Sequence, residues 1–369
     1  MPLKISNFNK KIISITLIEI VFSILFVFIL INIINEMTSN PLGIENNDNI
    51  IFDNTEMTLK LDSMTLKQKI AQMIITIGKN EEKDNLQRMV IGGIHFSSKP
   101  TKDSYVSIIS SFQNSTAIPF FVTIDLEGCS NPFDNFQYFP SSSEIETEQQ
   151  AYNIGYEEGI LLNEMGFNIN FMPIVDLNDN IWNCRAFTGT PEEISRKAVA
   201  YINGIQENGI IATAKHYPGK TLVNDDPHLH IIEATIEEED LLPFNECIKN
   251  NVSAIMVSHI IVNGSIDSES KPSSTSYALI SNLRKEFNGL IITDEVGMGA
   301  IRNFYKNDLK MYMDLFKADN DLILVWGSSN EIYDIILLIE KAVKDGEISE
   351  ERIDKSVTRI LIAKGINVV

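Results

Sequence analysis

A lysine and a histidine stand together at the end of a short apolar run, Ile210-Ile211-Ala212-Thr213-Ala214-Lys215-His216, and Pro218-Gly219 breaks regular structure directly after it. A polar loop then leads to Asp226-Pro227-His228. In an Asp-x-His triplet the carboxylate can orient the imidazole and raise its basicity, which is what acid/base catalysis asks of a histidine. Taken alone, the triplet also fits a plain turn with a solvated histidine. Other chemically capable groups end apolar runs elsewhere: Asp125, Asp176 with Arg185 in its loop, His259, and Asp294 with Glu295.

The elements that must carry these groups alternate. Eight short apolar runs, Met73–Ile77, Gly92–Phe96, Phe120–Asp125, Ile169–Asp176, Ile210–His216, Ala254–His259, Leu290–Glu295 and Asp321–Trp326, read as strands. Between most of them lie helical patterns: Tyr105–Gln113, Ala151–Met165, Pro191–Asn208, Glu237–Asn250, Ser276–Phe287 and Ile332–Lys344. A helix at Met64–Met73, capped by Thr65, precedes the series, and one from Ser349 to Lys364 closes it. Continuously apolar strands alternating with helices predict a parallel sheet covered on both faces. Eight strands predict an α/β fold of the (β/α)8 TIM type; a doubly wound open sheet is the competing arrangement. Catalytic groups of such barrels sit where strands end, and polar groups here end five of the eight otherwise apolar runs.

The chain has 369 residues, a formal charge of −20 and three cysteines. That acidity argues against a nucleic-acid partner, and the cysteine count excludes a disulfide-dense scaffold. Residues 12–34 are almost wholly apolar and follow Lys4, Lys10 and Lys11. The run is longer than a secretory core, so the sequence predicts a transmembrane signal anchor with residues 1–11 in the cytoplasm; a cleaved signal is the alternative. Residues 35–61 then read as a linker, and 62–369 as a domain outside the cell, attached to the membrane by the helix.

Several stretches resemble glycoside hydrolase family 3. Asp125-Leu126-Glu127-Gly128 is similar to that family's Asp-x-Glu-Gly-Gly, Cys184-Arg185-Ala186-Phe187 to its Asp-Arg-[Ser/Ala]-Phe, and Lys215-His216-Tyr217-Pro218-Gly219 to its Lys-His-Phe-Pro-Gly. Ile292-Thr293-Asp294-Glu295-Val296-Gly297-Met298 resembles its nucleophile segment. Ile348-Ser349-Glu350-Glu351-Arg352-Ile353-Asp354 resembles the opening of its last helix. The resemblance spans about residues 60–365, and Asp226-Pro227-His228 points to the β-N-acetylglucosaminidase branch. It implies a retaining hydrolase of a carbohydrate substrate, such as cell-wall glycan, with Asp294 as nucleophile, His228 as acid/base and Asp226 holding its ring. By the same resemblance Asp125, Arg185, Lys215 and His216 bind substrate. Glu127 is expected to be structural, and His259 is a candidate neighbour of the sugar.

No cofactor or metal is expected: His228-x-His230 does not match the spacing of zinc pairs. Departures from the family pattern stand at Cys129-Ser130, where a second glycine and an arginine are usual, at Gly219-Lys220-Thr221, and at Ala318-Asp319. They leave room for a second reading, a glycan-binding or scaffold protein that has lost turnover. Cys129 and Cys184 follow adjacent strands and are candidates for a disulfide, provided their Cα atoms lie within about 7 Å.

Overall fold

The computed structural model describes residues 21–30, 40, 42–129, 131–223 and 225–369. The chain divides into two units, residues 1–45 and 46–369. In the first, residues 21–30 are helical and exposed. Among the described residues no helix is long and apolar enough to cross a membrane. The transmembrane helix expected at 12–34 is therefore corrected as unsupported, and so is the membrane attachment built on it; the rest of that stretch lies outside the described residues.

In the second unit eight parallel strands close a barrel: β1 (Ile74–Ile77), β2 (Gly93–His95), β3 (Phe121–Ile124), β4 (Ile169–Asn170), β5 (Ile211–Tyr217), β6 (Ala254–Val257), β7 (Leu290–Glu295) and β8 (Leu322–Leu324). Each pairs with the next, and β8 returns to β1 with Ile323 opposite Ile74. Closure decides against the open sheet. Every residue of β3 and β6 is buried, as strands covered on both faces require. In β7 the pattern turns from buried Leu290–Thr293 to half-buried Asp294 and Glu295, marking where the core gives way to the upper rim.

Helix starts follow local chemistry. Thr65 caps α1 (Leu66–Gln72) in a reciprocal box with Gln68, and Thr190 does the same with Glu193 for Pro191–Gln206. The expected fourth strand ends early, at Asn170, because Pro173 has no N–H to give to a ladder. Its chain still runs along β5, with Lys215 N–H donating to Pro173 O at 3.0 Å. Three helices not expected from sequence are Lys83–Met89, α2 (Gly299–Tyr305) and Asp308–Lys317.

At the lower rim Asp321, fully buried before β8, takes Arg359 Nη1 at 2.7 Å, Ser356 Oγ at 2.8 Å and the N–H of Ile291 at 3.0 Å, together with Arg284. This carboxylate pins the closing helix to β7 and β8.

Between helix Glu148–Met165 and the barrel wall, buried Glu158 accepts from the Tyr201 hydroxyl. Tyr201 accepts from Asn170 Nδ2 at 3.0 Å, and Asn170 Oδ1 accepts the N–H of Leu126 at 2.9 Å, so the chain of bonds ends between Asp125 and Glu127. Burial pushes the Glu158 carboxyl up to about 8. In the unfolded chain Glu158 ionises near pH 4.5, whereas in the fold it holds its proton until near pH 8, so its contribution to stability is lost as pH rises across that window. Glu158→Gln removes the titration. The difference in melting temperature between variant and wild type is expected to shift in the variant's favour from pH 5 to pH 8, as read by thermal melts. A difference that does not change with pH would contradict this assignment.

Candidate active site

The upper rim holds a cavity of about 510 Å³. Asp125, Arg185, Lys215, His216, His228 and Asp294 all line it, so six residues singled out by sequence meet in one place. Asp226, the seventh, joins them through His228.

Asp294 comes from the end of β7. It accepts the N–H of Glu295 at 2.8 Å. Burial acts to raise its pKa, but His216, His259, that N–H and Lys215 outweigh it and hold the carboxyl below its ordinary value. Asp294 is therefore an anion at neutral pH, as a nucleophile must be. Glu295 beside it is tied into the wall, accepting the N–H of Trp326 at 3.2 Å, and burial raises its pKa. Of the two neighbouring carboxylates, only Asp294 has the properties of an attacking group.

Lys215, on β5, is 2 % exposed, with Nζ 2.7 Å from Asp125 Oδ1 and 2.6 Å from Glu127 Oε1. Glu127 also receives Arg185 Nε at 2.6 Å and Nη2 at 2.9 Å. Burial disfavours the charged glutamate, yet Lys215 and Arg185 bring its pKa far below the carboxylate range. Glu127 is thus a structural anion that aims two cations, as expected, although the cavity also reaches it. Asp125 is different: its side chain is 43 % exposed, so it can accept from an incoming hydroxyl while Lys215 holds it.

His216 donates from Nδ1 to Asp176 Oδ2 at 2.9 Å. Asp176 is fully buried and also accepts the N–H groups of His216 and Thr221, so it fixes both the ring and the turn that follows. His259 is buried, its Nε2 donating to Glu295 O at 3.0 Å and its Nδ1 lying 2.7 Å from Ser274 Oγ. Burial lowers its pKa, and the Asp294 carboxylate acts in the other direction.

The loop of Arg185 is built around Asp179, whose carboxylate accepts the N–H groups of Trp182, Cys184 and Arg185 at 2.8–3.0 Å. Arg185 lies over the Trp182 ring at 4.7 Å. Cys184 is bonded to Cys129, with Cα atoms 5.5 Å apart, so the expected disulfide joins the loop of Glu127 to the loop of Arg185. The two cysteines fill two positions where the chain departs from the family signature.

His228 is 53 % exposed and donates from Nδ1 to Asp226 Oδ1 at 2.6 Å; its own N–H reaches the same oxygen at 2.9 Å. Partial burial would raise the Asp226 pKa, but the two bonds from His228 hold it low. With Nδ1 committed, Nε2 is the nitrogen available for proton transfer.

One residue at the rim escaped sequence reasoning. His95 ends β2, with Nδ1 3.0 Å from Thr123 Oγ1 and Nε2 3.8 Å from Asp125 Oδ2, stacked between Phe171 and Trp326. Burial lowers its pKa. Its signal was hidden by one residue: a strand read through Phe96 ends on an apolar group, and the strand stops at His95.

Residues 65–363 match the Glycosyl hydrolase family 3 N terminal domain. The chain belongs to that family. Its likeness to beta-hexosaminidase A of Pseudoalteromonas piscicida is 26 % identity over 67 % of this chain and 48 % of that protein. With beta-hexosaminidase LpqI of Mycobacterium tuberculosis it is 28 % over 62 % and 63 %. A family 3 β-N-acetylglucosaminidase from Paenibacillus sp. str. FPU-7 superposes with a TM-score of 0.74 at 26 % identity, covering 82 % of this chain and 62 % of that one. The chain thus spans between about half and just under two thirds of these relatives. The glycoside hydrolase family 3 barrel expected from the motifs is borne out.

Proposed function

We propose that the protein is a retaining glycosidase that releases terminal β-linked N-acetylglucosamine, from cell-wall glycan or related oligosaccharides. The observation that carries this is the convergence of an ionised strand-end carboxylate, Asp294, and a carboxylate-held imidazole, His228, on one cavity. The names of the relatives support the choice of sugar.

In the first step an Asp294 oxygen attacks the anomeric carbon, the glycosidic C–O bond breaks, and His228 Nε2 gives its proton to the departing oxygen. Asp226 stabilises the imidazolium that precedes this transfer. In the second step His228 takes a proton from water, the water oxygen attacks the anomeric carbon, and Asp294 is released. Asp125, Lys215, Arg185 and His216 hold the sugar hydroxyls. The reaction needs no cofactor. The disulfide favours an oxidising compartment as the place of work.

The test is incubation of the full chain with an aryl β-N-acetylglucosaminide, following the first-formed sugar by proton NMR. Retention predicts the β anomer. Cys129 and Ser130 in place of the usual glycine and arginine favour a second reading, a glycan-binding protein without turnover. Binding of N-acetylglucosamine with no release of the aryl group would establish that reading instead.

A further inference from the structure

The loop that carries His228 has little apolar anchorage at its tip: Leu229 is 60 % exposed and Ile231 41 %. It is held by polar contacts from one element. The N–H of Gly299 donates to His228 O at 2.8 Å, the N–H of Ala300 to Pro227 O at 3.1 Å, and Asn303 Nδ2 to Leu229 O at 3.0 Å. Three consecutive carbonyls with His228 at their centre are thus received by the start of α2. Contact is close enough to require glycine, since a Cβ on Gly299 would lie 2.6 Å from Leu229 C and O and 2.8 Å from His228 O. Within the loop, Leu229 and His230 N–H groups both return to Asp226 O, at 3.0 and 3.1 Å, so the segment is held as a unit. On the other side Trp182 meets the His228 ring edge-on at 5.9 Å between centroids.

We infer that Asn303 and Gly299 form a latch that positions His228 for proton transfer. The inference rests on the reading of His228 as acid/base. Helix α2 follows β7, the strand that carries Asp294, after three residues, so the latch ties the acid/base to the connection next to the nucleophile. Single hydrogen bonds between neutral groups contribute little individually, which lets three of them hold the loop closed and still release it for exchange of sugar. Asn303 and Gly299 are positioning residues; neither need touch substrate.

A latch of this kind matters only when the leaving oxygen needs a proton. The full chain and its Asn303→Ala, Asn303→Asp and Gly299→Ala variants are compared on two substrates, the 2,4-dinitrophenyl and the 4-methoxyphenyl β-N-acetylglucosaminides. The dinitrophenolate departs unaided, whereas the methoxyphenolate does not. The parameter is kcat/KM, from which the shared hydrolysis of the glycosyl enzyme drops out. The ratio of dinitrophenyl to methoxyphenyl kcat/KM is expected to rise by about fivefold in each variant. Asn303→Asp keeps the side-chain shape and removes the donor, so it separates the hydrogen bond from packing. Equal losses on both substrates would show a merely structural role, and no loss on either would show no role; both overturn the latch while leaving the proposed glycosidase intact. A wild-type chain that releases neither phenol overturns both.

Discussion

Asp294→Asn is expected to lower the kcat for aryl β-N-acetylglucosaminide hydrolysis by about 10³-fold or more, with the melting temperature close to that of wild type. The amide keeps the shape of the carboxylate and its contact with the Glu295 N–H, so the fold has no reason to respond. What is lost is the negative charge that forms the bond to the anomeric carbon. His216, His259 and Lys215 surround this position and hold it anionic, and in the variant their field has nothing to act on. Azide supplied from solution can take over as nucleophile and give the glycosyl azide of inverted configuration, which separates a missing nucleophile from a collapsed site. Equal turnover by Asp294→Asn and wild type would remove the covalent step from the mechanism, and Glu295 would be the next group to examine.

The second large effect falls on stability. Lys215→Met is expected to cost about 3–5 kcal/mol, because it leaves buried Glu127 with Arg185 as its remaining cation and strips Asp125 of its holder. Burial opposes the charged lysine, but Asp125 and Glu127 outweigh that and raise its pKa. The cluster therefore functions only when complete. The melting temperature should fall by roughly 5–15 °C, and sugar affinity should fall with it. The double variant Lys215→Met, Glu127→Gln recovers part of the lost stability without recovering affinity. A single variant that melts with wild type would show that water already screens this cluster.

Much of this was legible in sequence because burial on both faces forces strands to be continuously apolar, and a charged group at the end of such a run then stands out. Asp125, Lys215, His216 and Asp294 were found that way. The Asp-x-His pair was found by spacing, and its approach to the other residues depends on a loop whose path no periodicity encodes. Glu127 was read as structural; the sequence did not disclose that it pairs with Lys215 and Arg185 at once, since those partners arrive from β5 and from the loop after β4. His95 was lost to a strand boundary misplaced by one residue. Helix α2 was missed because it is only about two turns long and begins at a glycine, a poor helix former that is there for the loop above it. The expected membrane span was read from hydropathy and length alone, and among the described residues no helix is long and apolar enough to cross a membrane.

The carboxylate of Asp321 has a consequence for how such a protein can vary. It rivets the closing helix to the floor of the barrel, far along the strands from the mouth, so cohesion of the scaffold does not depend on what the mouth contains. Loops above can be rewritten, with cysteines for a glycine and an aspartate, or a lysine where another residue is usual, and the cylinder beneath keeps its closure. Grafting foreign loops onto the mouth should therefore be tolerated where a single change at the floor is not, which makes this end of the molecule the natural place to retarget it to other sugars.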